Sequence, residues 1–168
     1  MTDQEPQLAH CPFTLIVDTR EQTPYTFREI DQLSRYGGGA LVIPILKKAL
    51  ETGDYSIEGF EDQVAVERKE LGDFYHCCGA DRARFEKQLT RLNELKYGAM
   101  MVEADWTMIM RGHKESKLNP ESVRGSVVSW TMEHFPNIHW WFIGGKRTAE
   151  VMTYRILDRF WRGQVSAK

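Results

Sequence analysis

The chain has 168 residues, 42% of them hydrophobic and 27% charged, with a formal charge of -2 and a pI near 6.2. That length suits one well-buried core rather than two domains, and the near-neutral charge excludes a histone-like polycation, so any nucleic-acid contact has to be local. Its three cysteines, two of them the adjacent Cys77 and Cys78, supply no disulfide framework, and no stretch approaches the roughly 20 apolar residues of a membrane helix.

The polar N-terminus lacks the pattern of a secretory signal, so the expected setting is intracellular, cytoplasmic or nucleoid-associated, with no secretion and no membrane. Residues 1–12 read as a tail and 13–168 as a single domain. Thr14 to Val17 is β-branched and apolar, a buried strand that delivers residues 18–21 at its end. Gln22 to Gly39 is turn-rich, with Pro24 and three glycines from Gly37, and reads as loop with room for one short helix. Val42, Ile43 and Ile45 around Pro44 favour extended chain over helix. Tyr55 to Ile57 and Gln63 to Val66 flank Glu58-Gly59 as a hairpin-like pair that brings Asp54 near Glu67.

Beyond Leu71 the period turns helical. A short helix around Phe74 precedes a longer one over 82–96, with Phe85, Leu89, Leu92 and Leu95 on one face and Arg84, Lys87 and Arg91 on the other. Ala99 to Val102 is a strand ending at Glu103. Asn119-Pro120 opens a helix running to about His134, Ile138 to Ile143 is a last strand, and Thr148 to Trp161 a last helix. The order predicts an α/β domain with a mixed central β-sheet flanked by α-helices.

Acidic residues recur at the ends of these strands: Asp18, Glu21, Asp54 and Glu67. Two or three carboxylates brought together form an incomplete oxygen shell suited to Mg²⁺ or Mn²⁺, which keep several waters. Alternation along a strand puts Glu67 and Lys69 on one face and Arg68 on the other, so an ammonium stands beside the metal ligand. There it can orient or help deprotonate an attacking water and stabilise charge developing on a phosphate.

Asp18-Thr-Arg-Glu21, Gly53-Asp54-Tyr55, and Glu67-Arg68-Lys69 followed by Asp73 resemble the Gly-Asp, Glu-Arg-Lys-x-x-x-Asp signature of the XPF-type structure-specific endonucleases. The pattern is also similar to the wider restriction-endonuclease-like Asp and Glu-x-Lys motif. Arg84-Phe85-Glu86-Lys87-Gln88 resembles the helix packed behind that family's site, and Met101-Val102-Glu103 its core strand. The resemblance implies a metal-dependent DNA endonuclease acting on flap, fork or branched DNA. Asp18, Glu21, Asp54, Glu67 and Lys69 would be catalytic, with Asp54, Glu67 and Asp18 holding Mg²⁺ or Mn²⁺. Arg20, Arg68, Arg84 and Lys87 would contact DNA, and Tyr55 and Asp73 would support the site. Repair, recombination and mobile-element processes all stay open.

Plainer readings stand beside these. Arg68 is equally suited to bracing the fold through a buried carboxylate, Asp73 to capping the next helix, and the Arg84, Lys87, Arg91 stripe to facing water. His76-Cys77-Cys78 lacks zinc-ligand spacing, and Gly144-Gly145-Lys146-Arg147 lacks the residues of a P-loop. Four tryptophans, Trp130, Trp140, Trp141 and Trp161, point to core or subunit packing, and the family resemblance implies a homodimer or a targeting partner. The sequence leaves no room for the tandem helix-hairpin-helix module common in that family, and 26–50 is longer and richer in glycine than its usual spacer. The competing class is a catalytically inactive DNA-binding or scaffolding module on the same fold; an RNA-directed nuclease differs only in substrate.

Overall fold

Strand alternation organises the centre of the molecule. In Val64–Lys69 (β6), Val64 and Val66 point to one core and Ala65 to another; in Tyr97–Val102 (β7), Ala99 and Met101 join the first, Met100 and Val102 the second. Both faces of the sheet are therefore apolar, and both must be covered by helices. This computed structural model describes residues 9–28, 30 and 41–166. The loop reading of 22–39 is testable only in part, since Leu33 and the glycine run lie outside the described residues, as does most of the N-terminal tail.

Six strands form the main sheet in the order β4-β2-β5-β6-β7-β8: Ile45–Lys47 (β4), Leu15–Val17 (β2), Tyr55–Ile57 (β5), β6, β7 and Ile138–Phe142 (β8). Only the β2/β5 and β5/β6 pairings are antiparallel, so the sheet is mixed as predicted. A small second sheet pairs Ala9–His10 (β1) with Leu41–Val42 (β3). The extended 41–50 segment is thus split into two short strands; Pro44, which has no N–H to donate, offers its carbonyl to the Leu15 amide at 2.8 Å.

On one face lies Lys146–Val165 (α5), burying Ala149, Tyr154, Ile156 and Leu157. On the other lie Leu71–Cys78 (α1), Arg82–Asn93 (α2), Trp106–Met110 (α3) and Pro120–Ser129 (α4). Asn119 caps α4 through Glu121 N–H at 3.0 Å with Pro120 behind it, as the sequence indicates, and the helix runs on to His134 as a π-helical turn. α3, capped by Asp105, was not foreseen: five residues show no period. A Cβ on Gly98 would lie 2.2 Å from the Leu92 carbonyl oxygen, so glycine is what lets the end of α2 press onto β7. No helix among the described residues is long and apolar enough to cross a membrane.

Candidate active site

β2, β5 and β6 are neighbours inside the sheet and meet at its strand-end edge, where the ends of β2 and β6 adjoin the start of β5. Backbone hydrogen bonds stitch them there: Asp18 N–H donates to the Asp54 carbonyl at 2.8 Å, and Asp54 N–H to the Val66 carbonyl at 2.9 Å. The Asp54 carboxylate closes the link by accepting the Arg68 N–H on Oδ2 at 2.7 Å. Gly53 makes the turn into β5 possible: its φ is 80°, and a Cβ there would sit 2.7 Å from that of Ala65.

A cleft of about 210 Å³ opens at this edge. Its acidic side chains are Asp18, Glu51, Asp54 and Glu67, and its basic ones Arg20, Lys69, Arg84 and Arg91. A second hollow, containing Glu21, Thr23, Arg68, Glu70 and Asp73, joins it through Arg20, Asp54 and Lys69. A larger groove of about 400 Å³ between β7, β8 and α5 is lined by Tyr97, Trp141, Ile156 and Phe160, with no carboxylate. It offers none of the acid–base or metal chemistry found in the smaller cleft.

Alternation along β6 holds as read: Lys69 Nζ bonds Glu67 Oε1 at 2.5 Å, facing α2, while Arg68 faces the opposite core. Burial raises the Asp54 carboxyl, and the neighbouring Glu67 charge adds to it, so its pKa is pushed up to about 7. For Lys69, burial works toward the neutral amine, but the charges of Glu67 and Asp54 and the bond to Glu67 outweigh it, and the net shift is upward. In the metal-free chain the lysine is therefore favoured as an ammonium, which suits charge stabilisation. Asp18 shows the reverse balance. Burial would raise its carboxyl, yet the Arg20 side chain and amide hold it below the usual value.

A sequence model for the ERCC4 domain matches residues 17–154, most of the chain. The chain belongs to the ERCC4 domain family. Among solved structures it is similar to XPF from Aeropyrum pernix, with 23% identity, a TM-score of 0.55, and coverage of 87% of this chain and 65% of that one. It is also similar to XPF from Aeropyrum pernix in complex with DNA, with 19% identity, a TM-score of 0.61, and coverage of 90% and 66%. At these identities the likeness shows the fold, a central mixed sheet flanked by helices; the chain spans about two thirds of the length of those chains. No curated protein sequence matches it significantly.

Within this ERCC4 domain the sequence-predicted residues divide into groups. Asp18, Asp54, Glu67 and Lys69 share the cleft. Among the described residues no group of three His, Cys, Asp or Glu side chains converges as a ready metal cage, because Asp18 turns to Arg20 and Glu67 to Lys69. The oxygen donors still fit a hard divalent cation: Asp54 and Glu67 repel one another, and Asp54 Oδ1 receives no hydrogen bond among the described residues. One or two carboxylates with waters and substrate phosphate are what Mg²⁺ commonly uses. Glu21 lies in the adjoining hollow, bonded to Thr23 N–H at 2.8 Å and paired with Arg68 at 3.4 Å.

Arg68, a predicted DNA contact, is placed differently. Its side chain is 4% exposed and pairs with Glu103 at 2.7 Å, Glu70 at 2.7 Å and Glu21, with Thr23 accepting as well. Those bonds commit the fork to protein oxygens, so bracing is the role its geometry gives. Tyr55 is also structural: buried, stacked 5.0 Å from Tyr25, and accepting the Tyr25 N–H on its hydroxyl at 2.9 Å. Asp73 is exposed in the first turn of α1, where a carboxylate suits the helix N-terminus, and forms no ion pair with Arg68 or Lys69. Arg20 is an exposed side chain that spans Asp18 and the Leu50 carbonyl. Arg84 lines the cleft, but the exposed Lys87 does not. Sequence reasoning gave no site role to Glu103, to Tyr25, whose hydroxyl donates to Glu103 at 2.8 Å, or to the cleft residues Gln88 and Glu51, although Gln88 and Glu103 stand in the segments that carry the family resemblance. Gln88 was legible from its spacing of four from Arg84; Glu103 was not, since its partner is 35 positions away.

Proposed function

We propose that the chain is a metal-dependent DNA endonuclease of the structure-specific kind, acting on flap, fork or branched DNA. The single observation that carries this reading is the meeting of Asp54, Glu67 and the charged Lys69 in one cleft at the end of three strands. The solved XPF in complex with DNA supports DNA as the polymer.

Asp54 and Glu67 would hold Mg²⁺ or Mn²⁺, with Asp18 joining if it releases Arg20; the cation, when bound, acidifies water and neutralises charge on the phosphoryl oxygens. Lys69 is fixed by Glu67 on the same strand face and donates hydrogen bonds to a non-bridging oxygen as negative charge grows there. In the overall step the water oxygen gives up a proton to solvent and adds to phosphorus, one phosphorus–ester oxygen bond breaks with its electron pair going to the departing oxygen, and that oxygen takes a proton from water. Burial of the Asp54 carboxyl lessens solvent screening of its interaction with a cation. Glu21 contributes from the neighbouring hollow by fixing Thr23 and Arg68 behind the site.

Labelled duplex, flap, fork and single-stranded oligonucleotides incubated with Mg²⁺, Mn²⁺ or chelator test this. Cleavage with either metal, lost with chelator and in Asp54→Ala and Glu67→Ala, is the expected result. DNA binding without cleavage, unchanged in both variants, would instead identify the non-catalytic scaffold.

A further inference from the structure

The two arms of the cleft differ in where they leave cations unpaired. They meet at Arg20, Asp54 and Lys69; one carries Asp18, Glu51 and Glu67 but is walled by α2, which presents Arg84, Gln88 and Arg91, whereas the other carries Glu21, Glu70 and Asp73 beside Arg68. The α2 residues fall at i, i+4 and i+7, a single helix face. The adjoining face of the helix is anchored by Phe85, Leu89 and Leu92, all buried, and by the close approach at Gly98, so this wall is fixed against the sheet. Neither Gln88 nor Arg91 has a side-chain hydrogen bond or ion pair among the described residues, and Arg84 has only a long pair with Asp81 at 3.5 Å while 76% exposed. In the acidic arm the Arg68 guanidinium is already consumed by carboxylates, and Arg20, shared by both arms, is paired with Asp18. The guanidinium groups left to meet a polyanion are thus concentrated along α2.

We propose that the α2 face binds the phosphodiester backbone on one side of the scissile phosphate, Arg84 and Arg91 neutralising phosphates and the Gln88 amide donating between them. From Arg84 to Arg91 the helix rises about 10 Å, or about three nucleotide steps. The strand therefore leaves the carboxylates along α2. This corrects the charge stripe expected from sequence, in which Lys87 took the place now given to Gln88. It rests on the nuclease reading only for the position of the reacting phosphate.

The test is fluorescence anisotropy of a fluorescein-labelled fork oligonucleotide, titrated with salt in the presence of Mg²⁺, in the full chain carrying Glu67→Gln to prevent cleavage. Arg84→Ala and Arg91→Ala should each weaken binding about five- to tenfold and reduce the salt slope by about one, with Arg91→Lys restoring the slope. Gln88→Ala should weaken binding without changing the slope and, with Glu67 intact, raise KM more than it lowers kcat. Lys96→Gln is the control, because Lys96 lies over Phe160 and bonds Gln164, near the start of β7. Parental slopes in Arg84→Ala and Arg91→Ala, or an equal loss in Lys87→Ala, would overturn the assignment. Cleavage by the unmutated chain with slopes unmoved by the α2 variants contradicts this inference alone. Slopes that fall as expected in a chain that cuts no DNA uphold it and contradict the hydrolytic reading.

Discussion

Asp54 is where the competition between fold and chemistry is sharpest. Its folded carboxyl holds a proton more tightly than the unfolded value of 3.8 because of burial first and the Glu67 charge second. A raised carboxyl contributes stability below the unfolded pKa and loses it as pH climbs through the folded one, so metal-free protein should weaken between about pH 4 and pH 7. Asp54→Asn, whose side-chain oxygen can still accept the Arg68 N–H, should flatten that dependence and stabilise the metal-free chain at pH 8 by roughly 1–3 kcal/mol. Urea unfolding across pH reads both. Lys69 belongs to the same balance: Lys69→Met should lower kcat by about 10²–10³-fold through loss of its charge, while Mn²⁺ affinity falls far less. Single-turnover kinetics beside metal titration separates the two effects. Arg68 acts at a distance from the reaction. Removing its fork leaves the buried Glu103 carboxylate without its cation, and Arg68→Ala should destabilise the chain by about 3–5 kcal/mol in urea unfolding. Arg68→Lys keeps charge but loses the forked geometry, so it should recover only part of that.

The elements divide by how locally they are determined. Thr14 to Val17, the 55–57 and 63–66 pair, α2 and the capped start of α4 follow from nearest-neighbour pattern, and all stand within a few residues of the sequence reading. The strand alternation that sets Glu67 beside Lys69 is equally local. What the pattern could not show depends on contacts far along the chain. Arg68 is neutralised from positions 47 and 35 residues away, Phe27 adopts φ 53° with its N–H held at 2.5 Å by Glu150, and the register of α2 selects Gln88 over Lys87 for the cleft. Gly53 shows how an element ending can govern a site. Gly53→Ala meets both a positive φ and the Ala65 Cβ, and should destabilise by roughly 2 kcal/mol while displacing Asp54. Thermal unfolding and Mn²⁺ affinity should deteriorate together in that variant.

At the scale of the molecule, two apolar faces require helices on both sides of the sheet, which leaves polar chemistry to the sheet edge where β2, β5 and β6 converge. On the proposed reading a chain of net charge -2 needs only a local strip of guanidinium groups, here along α2, to hold a polyanion. The tryptophan-rich last third is largely explained within the fold, with Trp130 packed between Phe85 and Trp140, and Trp161 against Phe13. Trp141 is the exception, lining the apolar groove between β7, β8 and α5. Mn²⁺ binding followed by electron paramagnetic resonance between pH 6 and pH 8 addresses the paired carboxylates most directly. One bound ion at pH 8, weakening as pH falls through about 7 and lost in Asp54→Asn and Glu67→Gln, is the predicted result; undiminished binding in both variants would contradict it.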